Sequence, residues 1–255
     1  MTAFKIVIPA RHGSTRLPGK PLIALAGKPM IVHVCERALE AVSEVYLATD
    51  DPRISAAVAG LPVQAIMTRP DHTSGTERIA EVCDQLGWPD DTIVVNLQGD
   101  EPLMHPELIV QLAGALAAQQ LAEVATLAAP IRDPAEIFDP NAVKTALDQQ
   151  GYALYFSRAP IPWHRNSFGG DDTPTLPADM PWLRHIGIYA YSVGFLRRYV
   201  RWPSSRLEAV EALEQLRILW QGERIRVVTV AASPHAGVDT EADRLRVERI
   251  LTQGA

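Results

Sequence analysis

Short β-branched runs alternate with helical periodicity through the first 120 residues, and that alternation restricts the fold more than any other feature. FKIVIPA (4–10), EVYLATD (44–50), LPVQAIM (61–67) and DTIVVNLQGDEP (91–102) read as strands. KPMIVHVCERALEAV (28–42), DPRISAAVAG (51–60), SGTERIAEVCDQLG (74–87) and HPELIVQLAGALAAQQ (105–120) repeat apolar residues at helical spacing. Their starts carry helix chemistry: Pro52 and Pro106 stand in first turns. Ser74 is placed to cap its helix while Glu77, three residues on, reaches back. Strand, helix, strand, helix predicts an α/β chain, a mainly parallel sheet sandwiched by helices in the Rossmann manner.

Beyond residue 121 the pattern loosens. EVATLAAPI, AVKTALD and YALYFSR read as strands, the last two joined through QQG as a hairpin. Residues 162–182 are rich in proline and glycine and predict a mobile loop. LRHIGIYAYS (183–192) is a strand, RLEAVEALEQLRILWQG (206–222) one helical stretch, RIRVVTV a last strand and TEADRLRVERIL a last helix. The expectation is a single domain over 1–255 with an inserted β-rich lobe at roughly 130–205.

A net charge of −6 argues against a nucleic-acid partner, which prefers a basic face. Cys35 and Cys83 belong to no C-x-x-C pair and are expected to be reduced, buried thiols. No run approaches the ~20 apolar residues of a membrane helix, so no membrane insertion is expected. The N-terminus enters a strand without a secretory pattern, and a soluble, cytoplasmic protein is expected.

In open parallel sheets ligands bind where strands end, and three polar clusters fall there. ARHGSTRLPGKPL places Arg11, Arg16 and Lys20 among Gly13, Pro18 and Gly19. Five residues separate Gly13 from Gly19 and Pro21 follows Lys20, so the nucleotide-triphosphate loop G-x-x-x-x-G-K-[ST] is absent. The three cations can still curl around one polyphosphate. NLQGDEP ends a strand in Asp100 and Glu101, suited to magnesium or simply an acidic turn. GVDTEAD places Asp239 before the last helix, either as its cap or as a second metal carboxylate opposite Asp100. The SGTER start offers backbone groups of Gly75 and Thr76 to a base, and Arg78 to a phosphate; it also reads as no more than a well-capped helix.

These motifs, followed by PNAVK, YALYFSRAPIPW, LRHIGIYAY, LEQLR and GVDTEAD in order, closely resemble the 3-deoxy-manno-octulosonate (Kdo) cytidylyltransferases, or CMP-Kdo synthetases. The resemblance implies the nucleotidyltransferase α/β fold, with the lobe serving sugar binding and dimerisation. It implies transfer of CMP from CTP to Kdo with release of pyrophosphate, magnesium as cofactor, a homodimer, and a place in lipopolysaccharide assembly. By the same resemblance Arg11, Arg16 and Lys20 hold the CTP phosphates, and Gly75, Thr76, Arg78, Gln98 and Asp100 surround the nucleotide. Asp100 and Asp239 bind magnesium, and Lys20, Arg16, Asp100 and Asp239 are the catalytic set. Arg158, His185, Tyr189, Glu214 and Gln215 meet the sugar acid. Without the resemblance, His185 and Tyr189 read as sheet core, Glu214 and Gln215 as a solvated helix face, and Arg158 as a surface strand residue. His12 and Gly13 stand where the family is expected to carry a Tyr-Ala-like pair. Rival readings are a cytidylyltransferase for 8-amino-Kdo or sialic acid, a glycosyltransferase on a similar fold, and a non-catalytic nucleotide sensor.

Overall fold

The computed structural model describes residues 3–13, 17–168, 182–231 and 237–253. The chain begins with β1 (Lys5–Ala10), a 3-10 turn (Lys20–Leu22), β2 (Ala24–Leu25), β3 (Lys28–Pro29), α1 (Met30–Ala41), β4 (Val45–Thr49) and α2 (Pro52–Ala57). It continues with β5 (Gln64–Met67), α3 (Gly75–Gln85), β6 (Ile93–Asn96), α4 (Pro106–Ala117), β7 (Val124–Pro130), α5 (Pro134–Phe138), β8 (Lys144–Leu147) and β9 (Ala153–Ser157). It ends with β10 (Leu183–Ser192), α6 (Val193–Tyr199), α7 (Arg206–Glu211), α8 (Gln215–Trp220), β11 (Ile225–Thr229) and α9 (Glu241–Gln253). Two compact units result, the first from 1–117, 188–200 and 234–255, the second from 118–187 and 201–233. The stretch expected as a lobe, 130–205, is therefore divided: 188–200 belong to the first unit, and the second starts earlier and runs on to 233.

In the first unit the strand order is β10-β6-β1-β4-β5. β1 lies parallel to both neighbours, Ile6 opposite Val45 and Lys5 opposite Val94, while β10 runs antiparallel to β6 with Tyr189 opposite Asn96. Ile6, Val7 and Ile8 are fully buried, as the near-continuous apolar run of a strand covered on both faces requires. From β1 the chain moves outward through β4 and β5, then returns to place β6 on the other side of β1. That reversal is a topological switch point, the place where ligands bind in open α/β sheets. Helix α3 starts as expected. Ser74 Oγ accepts from Glu77 N at 3.2 Å, and the Glu77 carboxylate reaches back to Thr73, taking its N–H at 2.8 Å and its hydroxyl at 2.9 Å.

Cys35 and Cys83 are unpaired and fully buried in α1 and α3, and burial pushes both thiols up to about 12. They stay protonated and inert at neutral pH. Among the described residues no helix is long and apolar enough to cross a membrane.

In the second unit β7 pairs in parallel with β11, and β8 and β9 form the expected antiparallel hairpin. Gly151 closes it at φ +81°, a left-handed turn in which a Cβ would collide with the Arg226 guanidinium. The first half of β10 pairs antiparallel with β8. Ile131, Ile137, Phe168 and Trp182 form an apolar cluster. Most of the expected mobile loop, 169–181, lies outside the described residues.

The expected single helix over 206–222 is instead two, α7 and α8, broken at Ala212, whose φ of 51° and ψ of 50° are left-handed. Glu208 supplies the reason. It completes a capping box with Ser205, and both of its oxygens also take Arg217, Nε at 2.8 Å and Nη2 at 2.5 Å. In an unbroken helix residues nine apart stand roughly 13.5 Å apart along the axis, beyond the reach of a bidentate pair. The break also starts α8 at Glu214–Gln215, leaving Glu214 exposed and Gln215 buried at 7%.

Candidate active site

The switch point of the first unit gathers the charged clusters read from the sequence. Lys20, in the short turn after β1, donates from Nζ to Asp100 Oδ2 at 2.6 Å and to Asp239 Oδ1 at 2.9 Å. Asp100 follows β6 and Asp239 precedes α9, so three distant parts of the chain meet at one nitrogen. Burial alone lowers the Lys20 pKa; the charges and hydrogen bonds of Asp100 and Asp239 outweigh it and hold the ammonium above its ordinary value.

The backbone explains the meeting. Val238 N donates to Asp100 O at 2.9 Å, stitching the loop before α9 to the end of β6. A Cβ on Gly237 would stand 2.8 Å from Asp100 O and 2.9 Å from Glu101 Oε1, so only glycine admits this approach. Gly99 is equally constrained, with a Cβ falling 2.8 Å from Pro9 O. The alternative role for Asp239, as cap of the last helix, is taken by its neighbour: Thr240 Oγ1 accepts from Asp243 N at 3.2 Å. The Asp243 carboxylate in turn accepts from the backbone N–H groups of Asp239 and Thr240 at 3.2 and 3.0 Å. Asp239 is thereby released to face Lys20.

Two carboxylates converging on one point are the hard oxygen donors magnesium prefers, so the residues present fit that ion. Among the described residues no three His, Cys, Asp or Glu side chains form a metal cage, so water and ligand oxygens would have to complete any shell. Of the other loop cations, Arg11 is exposed and Arg16 lies outside the described residues.

Gly75 opens α3, and a Cβ there would stand 3.1 Å from Pro9 Cγ and 3.9 Å from Gln98 Oε1. This start of a helix, beside the end of β1, carries backbone N–H groups that no intrahelical carbonyl satisfies. Thr76 is buried at 6%, and Gln98 donates to Asn96 Oδ1 at 3.3 Å. Arg78 is different from expectation. Only 2% exposed, it donates from Nη2 to Asp50 Oδ2 at 3.0 Å, from Nη1 to Thr68 Oγ1, and from Nη1 to Arg69 O at 3.3 Å. Its guanidinium pins α3 to the ends of β4 and β5 instead of standing out towards a phosphate. Asp50, the polar tip of EVYLATD, is the partner that sequence reading passed over; an acid ending a buried strand is its only local signal.

The residues expected at the sugar acid divide between units. Tyr189, buried at 8% and stacked on Tyr191 with centroids 5.6 Å apart, belongs to the first. Arg158, His185, Glu214 and Gln215 belong to the second. There His185 packs edge-on against Phe156 at 4.9 Å, and its Nε2 stands 3.0 Å from Thr126 Oγ1. Ile186 O, 3.2 Å from Thr126 Oγ1, is a second acceptor within reach of the same hydroxyl. Burial holds the His185 pKa down to about 3, so the ring is neutral at pH 7.

The chain matches the cytidylyltransferase family over residues 5–225. It is 60% identical over 250 residues to the 3-deoxy-manno-octulosonate cytidylyltransferase of Methylococcus capsulatus, covering 98% of this chain and 97% of that one. It is 55% identical over 256 residues to the enzyme of the same name from Hahella chejuensis, covering all of both. A solved CMP:2-keto-3-deoxy-manno-octonic acid synthetase complexed with CTP superposes with a TM-score of 0.89 at 44% identity, covering 99% of each chain. A cytidylyltransferase from Leptospira borgpetersenii, at 14% identity, covers 99% of this chain and 87% of that one with a TM-score of 0.62, a likeness of fold alone. On full-length identity and on the fold, this chain belongs to the 3-deoxy-manno-octulosonate cytidylyltransferase family.

Proposed function

We propose that the chain transfers CMP from CTP to the anomeric C2 hydroxyl of Kdo, giving CMP-Kdo and pyrophosphate. The hydroxyl oxygen forms a bond to the α-phosphorus, the bond from that phosphorus to the pyrophosphate oxygen breaks with its electron pair leaving on pyrophosphate, and the hydroxyl proton passes to solvent water. The observation that carries the reading is the convergence of Asp100 and Asp239 on Lys20 at the switch point.

Lys20 and Arg11, with Arg16, hold the triphosphate and stabilise charge building on it, the positioning-plus-electrostatics strategy of phosphoryl-type transfer. The start of α3 through Gly75 and Thr76, with Gln98, takes the nucleoside. Arg158 takes the carboxylate of the sugar acid, and His185, Tyr189, Glu214 and Gln215 its hydroxyls. Asp100 and Asp239 would hold magnesium, which would supply neutralising charge at the triphosphate and a lowered pKa for the attacking hydroxyl. Because His185 is neutral with a low pKa, it orients the acceptor and does not serve as base. The product would feed lipopolysaccharide assembly, made in the cytoplasm by a homodimer.

Pyrophosphate release tests the reading, with CTP, magnesium and a panel of Kdo, 8-amino-Kdo and sialic acid. Release with Kdo, dependent on CTP, is expected. Release with another acid but not Kdo reassigns the acceptor, and no release with any acid overturns the transfer itself.

A further inference from the structure

The second unit encloses a lysine for which the proposed chemistry has no use. Lys144 opens β8 between Ser157 of β9 and Arg184 of β10 and is 0% exposed. Its Nζ donates to three backbone carbonyls: Ala142 O at 2.6 Å, Arg158 O at 2.6 Å and Asp139 O at 2.8 Å. An ammonium has three protons, and all three are spent. None of these partners is a carboxylate, so the charge is balanced by no contacting anion. Burial accordingly lowers its pKa. A buried cation without a contacting counter-ion is costly, which makes a purely structural role an expensive one.

The three carbonyls show what the lysine joins. Asp139 and Ala142 flank Pro140, and Pro140 O accepts from Arg158 Nη1 at 2.9 Å. Arg158 Nε donates to Glu211 O at 2.7 Å, and Arg158 N to Glu211 Oε2 at 2.9 Å. Glu211 Oε1 takes the Ser157 hydroxyl at 2.6 Å. The guanidinium is thus held at Nε and Nη1 by neutral carbonyls, while Nη2 has no protein partner among the described residues. We infer that Lys144 is a positioning residue: it fastens the 139–142 turn to the backbone of Arg158, so that the guanidinium is held at a fixed angle with Nη2 presented to the carboxylate of the sugar acid. This rests on Arg158 being the carboxylate contact, as proposed above.

Steady-state pyrophosphate release by the full chain tests it. Lys144→Met is expected to raise KM for the sugar acid roughly tenfold or more, on the scale of a ~1 Å misplacement, and to leave KM for CTP unchanged. Ile137→Ala, a buried truncation in the same unit, is the comparison for general loosening and is expected to leave both KM values alone. If the two variants behave alike, Lys144 is merely structural and the inference falls. Arg158→Ala separates the two layers. A large rise in sugar-acid KM there with none in Lys144→Met overturns the positioning role and keeps Arg158. No change in Arg158→Ala removes the Arg158 reading and the inference together. Should Lys144→Met not fold, hydrogen exchange in the wild-type chain decides. Amides of 141 and 142 are expected to slow when the sugar acid is added, and unchanged exchange there overturns the coupling.

Discussion

Replacing Arg78 by Met discriminates sharply between a phosphate ligand and a buried brace. The Arg78 side chain is 3% exposed and its partner Asp50 15% exposed, and the guanidinium also serves Thr68 Oγ1 and Arg69 O. Removing one member of a buried pair costs about 3–5 kcal/mol, chiefly because the other charge is left unpaired. Asp50 keeps some contact with water, so the low end, about 3 kcal/mol, applies. For a chain of 255 residues, at about 2–4 °C per kcal/mol, the melting temperature should fall by roughly 6–12 °C. Thermal melting of the wild type and Arg78→Met without CTP measures this. Asp50→Asn should lose a similar amount, and the double variant much less than the sum, because both changes break one interaction. A melting temperature unchanged in Arg78→Met, together with a large rise in KM for CTP, would refute the brace and return Arg78 to the phosphates.

Two further outcomes follow from the site. Asp100→Asn and Asp239→Asn should each lose roughly 10²-fold or more in turnover, the scale of removing one transition-state stabiliser; near-normal turnover in both at ordinary magnesium concentration ends the two-carboxylate reading. His185 should make the fold acid-sensitive. Its pKa is about 3 folded and 6.5 unfolded, so below pH 6.5 the unfolded chain binds the extra proton and stability falls with pH. The loss is at most about 1.4 kcal/mol per pH unit until it levels near the folded value, and an upper limit because the ring keeps some water contact. Denaturant unfolding of wild type against His185→Gln from pH 7.5 to 4.5 checks it; parallel stability curves would remove the buried neutral ring.

Much of the first unit was legible because its signals are local. The run FKIVI reads as a buried strand from its β-branched residues, and Ser74 with Glu77 marks a helix start whatever packs against it. The basic and acidic loops were legible as clusters, since loops at strand ends follow from the alternation itself. What escaped depends on partners far along the chain. Ala212 is an ordinary helix former, and only the demand of Glu208 for Arg217 breaks the helix there. Arg78 sits three residues after a helix start, where an arginine reads as ligand or surface. Its burial is decided by Asp50, 28 residues away. Whether Asp239 caps α9 or faces Lys20 was open in GVDTEAD, because Thr240 beside it can cap equally well, and it does. The division of the chain into units was the hardest to read, since β10 is one uninterrupted strand whose halves belong to different units.

Local charge balance separates the cations of this chain more clearly than their identity does. Arg78 faces Asp50 alone, so that pair is neutral and attracts neither anion nor cation. Lys20 faces both Asp100 and Asp239, and one ammonium against two carboxylates leaves one negative charge at the switch point. On the proposed reading, that surplus would favour a triphosphate arriving with a divalent ion over one arriving alone. Arg158 and Lys144 stand on neutral carbonyls, and Glu211 is the single carboxylate bonded to the Arg158 backbone. Glu211, Asp139 and Glu136 act on Lys144 through charge, yet every atom its Nζ touches is a backbone carbonyl oxygen. A sequence prints all these residues as the same plus and minus signs. Their roles come from which cations the fold answers with carboxylates and which with carbonyls, since a carbonyl fixes a cation in place without cancelling its charge.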